Sequence, residues 1–348
     1  MASLECGRRD ALSGMGRRSM LRIGLLGAAR VTPMAMVEPV ARRNDVCLVA
    51  VASARPDSAR AFAAAHNIPR FYDRYEDLIA DADVDLIYNA LAPQNHAQFS
   101  IAALEAGKHV LCEKPFAMSA AEARLMVAAS QAHGRRLIEG FHDRYHPVFD
   151  YQAELIASGR LGRILSLRAV FNHAIGHDKV EFRHIKEFGG GALMDLGCYP
   201  VHWCRSFLGE EPIVETAVCK MSDVDVDEET TASLIFPSGV TAEIETRMTQ
   251  PWNMHARFEI LAERGRVTLI NCLVPHKGHS IHELIDGDFR EFTIAGDTSF
   301  DYQLEAVVSA INNGTPLPTE GDDPIGNMAA IDSIYAAAGV DRPWCGGR

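Results

Sequence analysis

The chain has 348 residues, 47% of them hydrophobic, and its 34 basic and 46 acidic side chains give a formal net charge of −12. That length suits two domains better than one, the acidic balance argues against a nucleic-acid surface, which needs a basic face, and no apolar run reaches the length of about 18 residues that a membrane span needs. The eight cysteines (Cys6, Cys47, Cys112, Cys198, Cys204, Cys219, Cys272 and Cys345) form no C-x-x-C pair and mostly lie in apolar runs, which reads as reduced thiols in a cytoplasmic protein.

Residues 1–20 lack apolar periodicity and read as a disordered tail, with Met20 as the functional start; Arg17-Arg18 alone is a faint export signal. From 21 onward strands and helices alternate. Buried strands are expected at 21–26, 46–52, 86–89, 109–112 and 137–139, with a short extended piece at 71–72. Helices are expected at 33–42, 57–66, 75–80, 97–106 and 119–133, the last opened by Ser119 with Glu122 at capping-box spacing. Strands apolar on both faces and separated by helices imply a parallel sheet covered on both sides. This predicts a doubly wound α/β Rossmann domain over 21–141.

The second half, 142–348, reads as an α+β domain. A helix at 148–157 precedes a strand at 164–171, then a Gly-rich loop and a helix reaching Leu208. Strands follow closely at 214–220, 230–236, 241–248, 257–262, 266–270, 280–285 and 289–294, with Gly239, Gly265 and Gly287 at tight connections. An open, largely antiparallel sheet is expected. Helices at 302–312 and 324–338 end the pattern and can pack back on the first domain.

A glycine turn between a buried strand and a helix presents backbone N–H groups and a helix dipole to a pyrophosphate. Here it is Gly27-Ala28-Ala29-Arg30-Val31-Thr32, in which only the first glycine of G-x-G-x-x-G is present; an ordinary strand-to-helix turn fits those residues as well, and position in the strand–helix series favours the dinucleotide. At the end of the second strand, Ser53-Ala54-Arg55 lacks the acid that NAD sites use for ribose, and Arg55 or Arg60 is available for a 2′-phosphate, so NADP is expected over NAD. The most specific segment is 109–115, HVLCEKP. Lys114 ends a buried strand where such sheets bind ligands, Glu113 can hold or tune it, and Pro115 can be cis. Gly27, Ala29, Arg30, Ser53, Arg55, His96, Glu113 and Lys114 form the expected cofactor-binding set.

With IGLLGAARV, AGKHVLCEKP, EGFHDRYHP and GGGALMDLGCY, the sequence from about residue 21 almost to its end resembles the glucose–fructose oxidoreductase, inositol dehydrogenase and rhizopine-catabolism (Gfo/Idh/MocA) oxidoreductases. The resemblance implies NAD(P)-dependent hydride transfer to or from a sugar, cyclitol, ketosugar or dihydrodiol. It implies Lys114 beside substrate and nicotinamide, and Asp195 and Tyr199 as the acid and, four residues on, the aromatic partner. The Tyr version looks like the branch with dimeric dihydrodiol dehydrogenases and NADP-dependent xylose dehydrogenases. Ala29 and Thr32 depart from the glycines of that pattern, and Ala54 from an arginine. A homodimer or homotetramer through the second sheet is likewise implied.

The residue types suit the chemistry. A phenol can exchange a hydroxyl proton if nearby positive charge lowers its pKa from about 10. Pro200 should lie in the first turn of the helix, placing Tyr199 near the positive dipole end and Asp195 at or before the helix start, where it can orient a substrate hydroxyl, with an N-cap as its plain alternative role. A core position is the plain alternative for Tyr199. Arg183 and His184 fit substrate contacts or a solvated loop equally well. His142-x-x-x-His146 is followed by Pro147 and lacks the zinc-protease Glu, and His276, His279 and His282 lack a carboxylate in register, so no metal is expected. His142 or Arg144 can stand near the substrate. Two other functions share the fold: a catalytically silent NAD(P)-binding regulator and an NAD-dependent glycoside hydrolase.

Overall fold

A computed structural model of the protein describes residues 20–176, 181–251 and 253–342; most of the N-terminal tail, Cys6 and Cys345 lie outside the described residues. β1 (Leu21–Leu26), β2 (Val46–Ala52), β3 (Arg70–Tyr72), β4 (Leu86–Asn89), β5 (His109–Cys112) and β6 (Leu137–Glu139) form one parallel sheet in the order β3-β2-β1-β4-β5-β6. Every residue of β1 and of β4 is buried, as a strand covered by helices on both faces must be. The order reverses between β1 and β4, so the crevice for a ligand opens at their carboxyl ends. Gly27 and Glu113 directly follow β1 and β5 there.

The helix at Ala120–His133 starts as expected: Ser119 Oγ accepts from the Glu122 N–H at 3.3 Å. Glu122 reaches the N–H of Met118 at 3.0 Å rather than that of Ser119, so the reciprocal half of the box is displaced by one residue.

The second sheet has eight strands: β7 (Ile164–Asn172), β8 (Ile213–Met221), β9 (Asp227–Ile235), β10 (Thr241–Arg247), β11 (His255–Ala262), β12 (Gly265–Ile270), β13 (Ser280–Ile285) and β14 (Asp288–Phe292), in the order β14-β13-β12-β11-β7-β10-β9-β8. β7 is inserted at the centre, antiparallel to β11 and parallel to β10. The period-two pattern sorts the faces: Ala242 and Ile244 of β10 are buried, whereas Glu243 and Glu245 stand on the face that also carries Arg168, with Arg168 and Glu245 paired at 3.3 Å. The helix Cys198–Leu208 covers the inner face, with Trp203 and Phe207 against Phe258 of β11.

The helix Ser299–Asn313 returns to the first sheet, where Phe300, Leu304, Val307 and Val308 share a core with Leu21, Ile23 and Leu25. A full capping box between Thr298 and Asp301 starts it three residues earlier than the apolar pattern suggests. The helix Asp322–Ala337 instead ties to the helix at Cys198–Leu208, Asn327 donating to the Cys198 carbonyl at 3.2 Å. Cys112, Cys198, Cys204, Cys219 and Cys272 are free thiols.

His146 caps the helix Pro147–Ala157, its Nδ1 accepting from the Val148 N–H at 3.2 Å. Burial first, then the neighbouring His279 and His276, depresses its pKa from 6.5 to about 4. Between those values the unfolded chain binds a proton that the folded chain refuses, so this contribution to stability is lost as the pH falls. Relative to His146→Asn, which keeps a cap acceptor but does not titrate, the wild type is expected to lose about 3 kcal/mol between pH 6.5 and 4. Urea unfolding of both proteins across that range checks this, and a pH-independent gap would contradict it.

Candidate active site

The glycine turn has the shape a dinucleotide phosphate requires. Gly27 has φ +92°, and a Cβ there would stand 3.2 Å from the Ala90 carbonyl oxygen, so no other side chain fits comfortably. Its N–H is held by the Ala52 carbonyl at 2.9 Å, and the Thr32 N–H closes on the Ala29 carbonyl at 3.1 Å. Ala28 and Ala29 remain half-exposed at the mouth. Replacement of the second and third glycines therefore leaves a tight turn with its backbone accessible, and these residues fit a pyrophosphate.

Lys114 stands at the end of β5, directly before Pro115, and the peptide bond between them is cis. Its Nζ donates to the Asp195 carbonyl oxygen at 2.7 Å and to Asp195 Oδ1 at 2.9 Å. Arg183 Nε donates to Asp195 Oδ2 at 2.7 Å, and Arg183 also pairs with Glu181 at 2.8 Å. Glu181 in turn meets Arg30 of the glycine turn at 3.2 Å. Five alternating charges thus run from the phosphate turn to the lysine. Burial alone would raise the Asp195 carboxyl, but the Arg183 guanidinium and Lys114 ammonium outweigh it and hold it well below the ordinary carboxylate range. Burial opposes the Lys114 ammonium, and Asp195 more than offsets it, leaving its pKa raised. The lysine is a fixed positive charge.

Asp195 and Tyr199 share one helical run. Leu193–Gly197 is wound as a wider π-type turn and continues into Cys198–Leu208. Pro200 has no N–H to donate, and the wider turn lets the helix pass through it. Two expectations are corrected here. Pro200 does lie in the first turn of the helix Cys198–Leu208, but the π-type turn Leu193–Gly197 runs ahead of it, so Asp195 lies inside a helical run and is neither an N-cap nor outside it. The capping acceptor comes from elsewhere: Asp227 Oδ2 takes the Leu193 N–H at 2.8 Å. Gly191, at φ +123°, is obligatory for that approach, since a Cβ there would fall 2.1 Å from Asp227 Oδ1. The glycine loop therefore serves contact with another chain segment.

The second correction is electrostatic. The Tyr199 phenol is not lowered but raised well above 10, by burial first and then by Asp143 and Glu113. Lys114 Nζ lies 5.1 Å from the centre of its ring, over the face rather than at the oxygen. The oxygen instead meets His142 Nε2 at 3.4 Å.

Lys114, Asp195, Tyr199 and Arg183 line one cleft of about 960 Å³, together with Arg30, Val31 and Met34 of the phosphate turn and Phe171 and Leu273 from the other wall. That volume holds a small ligand with room for part of a cofactor. Arg55 is exposed at the end of β2, and Ser53 is buried, its Oγ accepting the Arg55 N–H at 3.2 Å. Arg60 is placed over the Phe71 ring at 5.3 Å. Two members of the expected cofactor set are buried in contacts with the protein itself. His96 is 1% exposed, its ring nitrogens 3.0 Å from the Pro115 carbonyl oxygen and 2.8 Å from that of Leu91. Glu113 is buried and accepts the Tyr88 hydroxyl at 2.6 Å. Both hold the Lys114 loop. His184 is likewise buried, against the Ile175 carbonyl at 3.1 Å. Glu181, Asp227 and Ser299 carry no signal in the sequence, where no spacing ties them to the motifs.

A parallel sheet with a glycine turn at its switch point, facing a charged cleft on a second sheet, fits a nucleotide-dependent enzyme. Residues 21–141 match the oxidoreductase family model with an NAD-binding Rossmann fold, and residues 149–268 match the GFO/IDH/MocA C-terminal domain. The chain belongs to the Gfo/Idh/MocA oxidoreductase family. It is 30% identical over 332 residues to the uncharacterized oxidoreductase ORF334 of Rhizobium meliloti, covering 92% of this chain and 97% of that one. It is 30% identical over 320 residues to D-xylose 1-dehydrogenase (NADP(+)) 2 of Haloferax volcanii, covering 91% and 97%. Among solved structures it resembles the aldose-aldose oxidoreductase from Caulobacter crescentus complexed with glycerol, at TM-score 0.84, 27% identity and 91% and 97% coverage. It also resembles a 3-ketoreductase from Actinomadura kijaniata in complex with NADP and TDP-benzene, at TM-score 0.84, 25% identity and the same coverage.

Proposed function

We propose that this protein interconverts a hydroxyl and a carbonyl on a carbohydrate-like substrate, using NADP. One observation carries the reading: the Lys114–Asp195–Arg183 ion network and the Tyr199 phenol meet on a single cleft beside the glycine turn. The xylose dehydrogenase relative and the NADP complex of the ketoreductase support the cofactor, as does Arg55, exposed with no acid beside it.

Gly27, Ala29 and Arg30 hold the pyrophosphate, and Arg55 the 2′-phosphate. The nicotinamide, when bound, supplies the site that gives or accepts hydride. The chain's own residues manage the oxygen. The fixed charge of Lys114 stabilises negative charge growing on a carbonyl oxygen. Tyr199 gives the proton in reduction and takes it in oxidation. Asp195 positions Lys114, and its contacts with Arg183 keep it anionic. Residues 21–141 serve as the cofactor domain and 142–348 as the substrate and assembly domain, with the helix Ser299–Asn313 returning to the first core. Assembly as a homodimer or homotetramer through the second sheet, in the cytoplasm, completes the reading. Among the described residues, no helix is long and apolar enough to cross a membrane.

A screen of sugars, ketoses and diols followed at 340 nm tests the activity; tight NADP binding with no substrate turned over would defeat it. Tyr199→Phe is expected to leave NADP affinity within about twofold and to slow turnover by about 100-fold, the scale of lost acid–base help. Equal loss of binding and turnover would make Tyr199 structural.

A further inference from the structure

Tyr199 has one phenolic proton and, in this reading, must aim it into the cleft. Among the described residues the hydrogen-bond partner of its oxygen is His142, with Nε2 at 3.4 Å. Lys114 does not reach that oxygen, because its ammonium is taken by Asp195 and lies over the ring face. The other nitrogen of His142, Nδ1, meets Ser299 Oγ at 2.8 Å. His142 is 5% exposed and its ring packs on Phe300 at 4.0 Å between centres, so it cannot swing away.

We propose that His142 is a positioning residue for Tyr199, donating Nε2–H to the phenolic oxygen while the Ser299 hydroxyl donates to Nδ1 and fixes that tautomer. The inference rests on the assignment of Tyr199 as the proton-transfer group. A neutral imidazole has one N–H. Were Nε2 the acceptor, the phenol's only proton would point at His142 and away from substrate. With Nε2–H as donor, the phenolic proton is free to face the cleft.

In reduction, that proton moves from Tyr199 to the substrate oxygen; a reduced nicotinamide, when bound, would supply the hydride to the carbon. The O–H bond of Tyr199 breaks, an O–H bond forms on the product, and the phenolate left behind keeps the Nε2–H hydrogen bond until solvent restores the proton. Oxidation runs the same exchange backwards. The groups facing His142 keep it neutral throughout. Burial, then Lys114 at the end of β5 and His276 and Lys277 on the turn after β12, push its pKa down to about 3. Ser299 contributes no formal charge, and Tyr199 none while its phenol is protonated. Burial first, and then the nearby carboxyls of Asp143 and Glu113, make the Tyr199 phenolate costly, so a donor at the oxygen has the more effect.

The experiment compares His142→Phe, which keeps a flat ring without a donor, with His142→Gln, whose amide can donate. His142→Phe is expected to lower kcat by about 10–100-fold, the worth of one hydrogen bond to a charged group. NADP affinity should be unchanged, and the limb on which oxidation rises with pH should move up by about one unit or more. His142→Gln should recover much of both losses. In a Tyr199→Phe background, His142→Phe should add nothing. An active wild type and a slow Tyr199→Phe, with His142→Phe at wild-type rate and an unmoved limb, overturn the role of His142 alone. So does a Gln variant as impaired as Phe, which would make the imidazole a matter of shape. A fully active Tyr199→Phe, or a wild type that turns over none of the screened substrates, defeats the assignment of Tyr199 and takes this inference with it.

Discussion

Lys114→Ala is expected to lower kcat by about 100-fold or more, measured at saturating NADP with any substrate found in the 340 nm screen. The size follows from what the ammonium does. Its side chain is 14% exposed and bound twice to Asp195, so it does not wander. A cation held rigidly beside the reacting oxygen is worth more than one in water, because no reorganisation is needed when charge develops. Removal has a second consequence. Asp195 keeps Arg183 but loses one of two cations that hold its buried carboxylate ionised, so its pKa should rise. The variant should therefore be more sensitive than the wild type to mild acid in both activity and stability. Near-wild-type turnover would show that Lys114 only completes an ion network. Lys114→Met, which fills the space without charge, separates the two: it should be as slow as Ala if the charge matters.

The elements were readable where local chemistry decides them. Strands buried on both faces give continuous apolar runs, as in VCLVAVA of β2, and helix starts such as Ser119 announce themselves by their caps. Thr298 and Asp301 also form a cap, but the apolar stripe of that helix draws the eye three residues downstream. The candidate site was readable in part. Lys114, Asp195 and Tyr199 do meet on one cleft, because strand ends and helix starts place motif residues predictably. Their electrostatics were not readable. Lowering the phenol by nearby charge requires the charge to approach its oxygen; Lys114 instead faces the ring, and burial of Tyr199 dominates. His96 and Glu113 lie in the right segments but turn inward onto the Pro115 and Leu91 carbonyls and onto Tyr88. Which way a side chain turns at a strand end depends on partners far along the chain, and periodicity does not carry that.

Asp227 shows how far such a partner can be. It is 1% exposed, in the first position of β9. Oδ2 accepts the Leu193 N–H at 2.8 Å and the Thr230 hydroxyl at 2.7 Å, and Oδ1 accepts the Tyr335 hydroxyl at 2.7 Å. One carboxylate therefore joins the start of the helix bearing Asp195 and Tyr199 to the second sheet and to the helix Asp322–Ala337. Asp227→Ala leaves the Leu193 N–H and the Tyr335 hydroxyl without their acceptor, each costing about 1–3 kcal/mol, while the Thr230 hydroxyl keeps the Cys219 sulfur at 3.2 Å, so a total of about 2–5 kcal/mol is expected. That is a large share of the 5–15 kcal/mol typical of a folded domain. Urea unfolding should show it as a lower midpoint. Asp227→Asn keeps one oxygen and should cost less. The folded fraction of Asp227→Ala should also turn over slowly, since the helix it anchors carries Tyr199, the proposed proton-transfer group, and Asp195, which positions Lys114; NADP affinity, assigned in this reading to the glycine turn at the other sheet, should be largely retained. A loss below about 1 kcal/mol would mean that water or a shifted Gly191 loop replaces the carboxylate, and the anchoring role would be withdrawn.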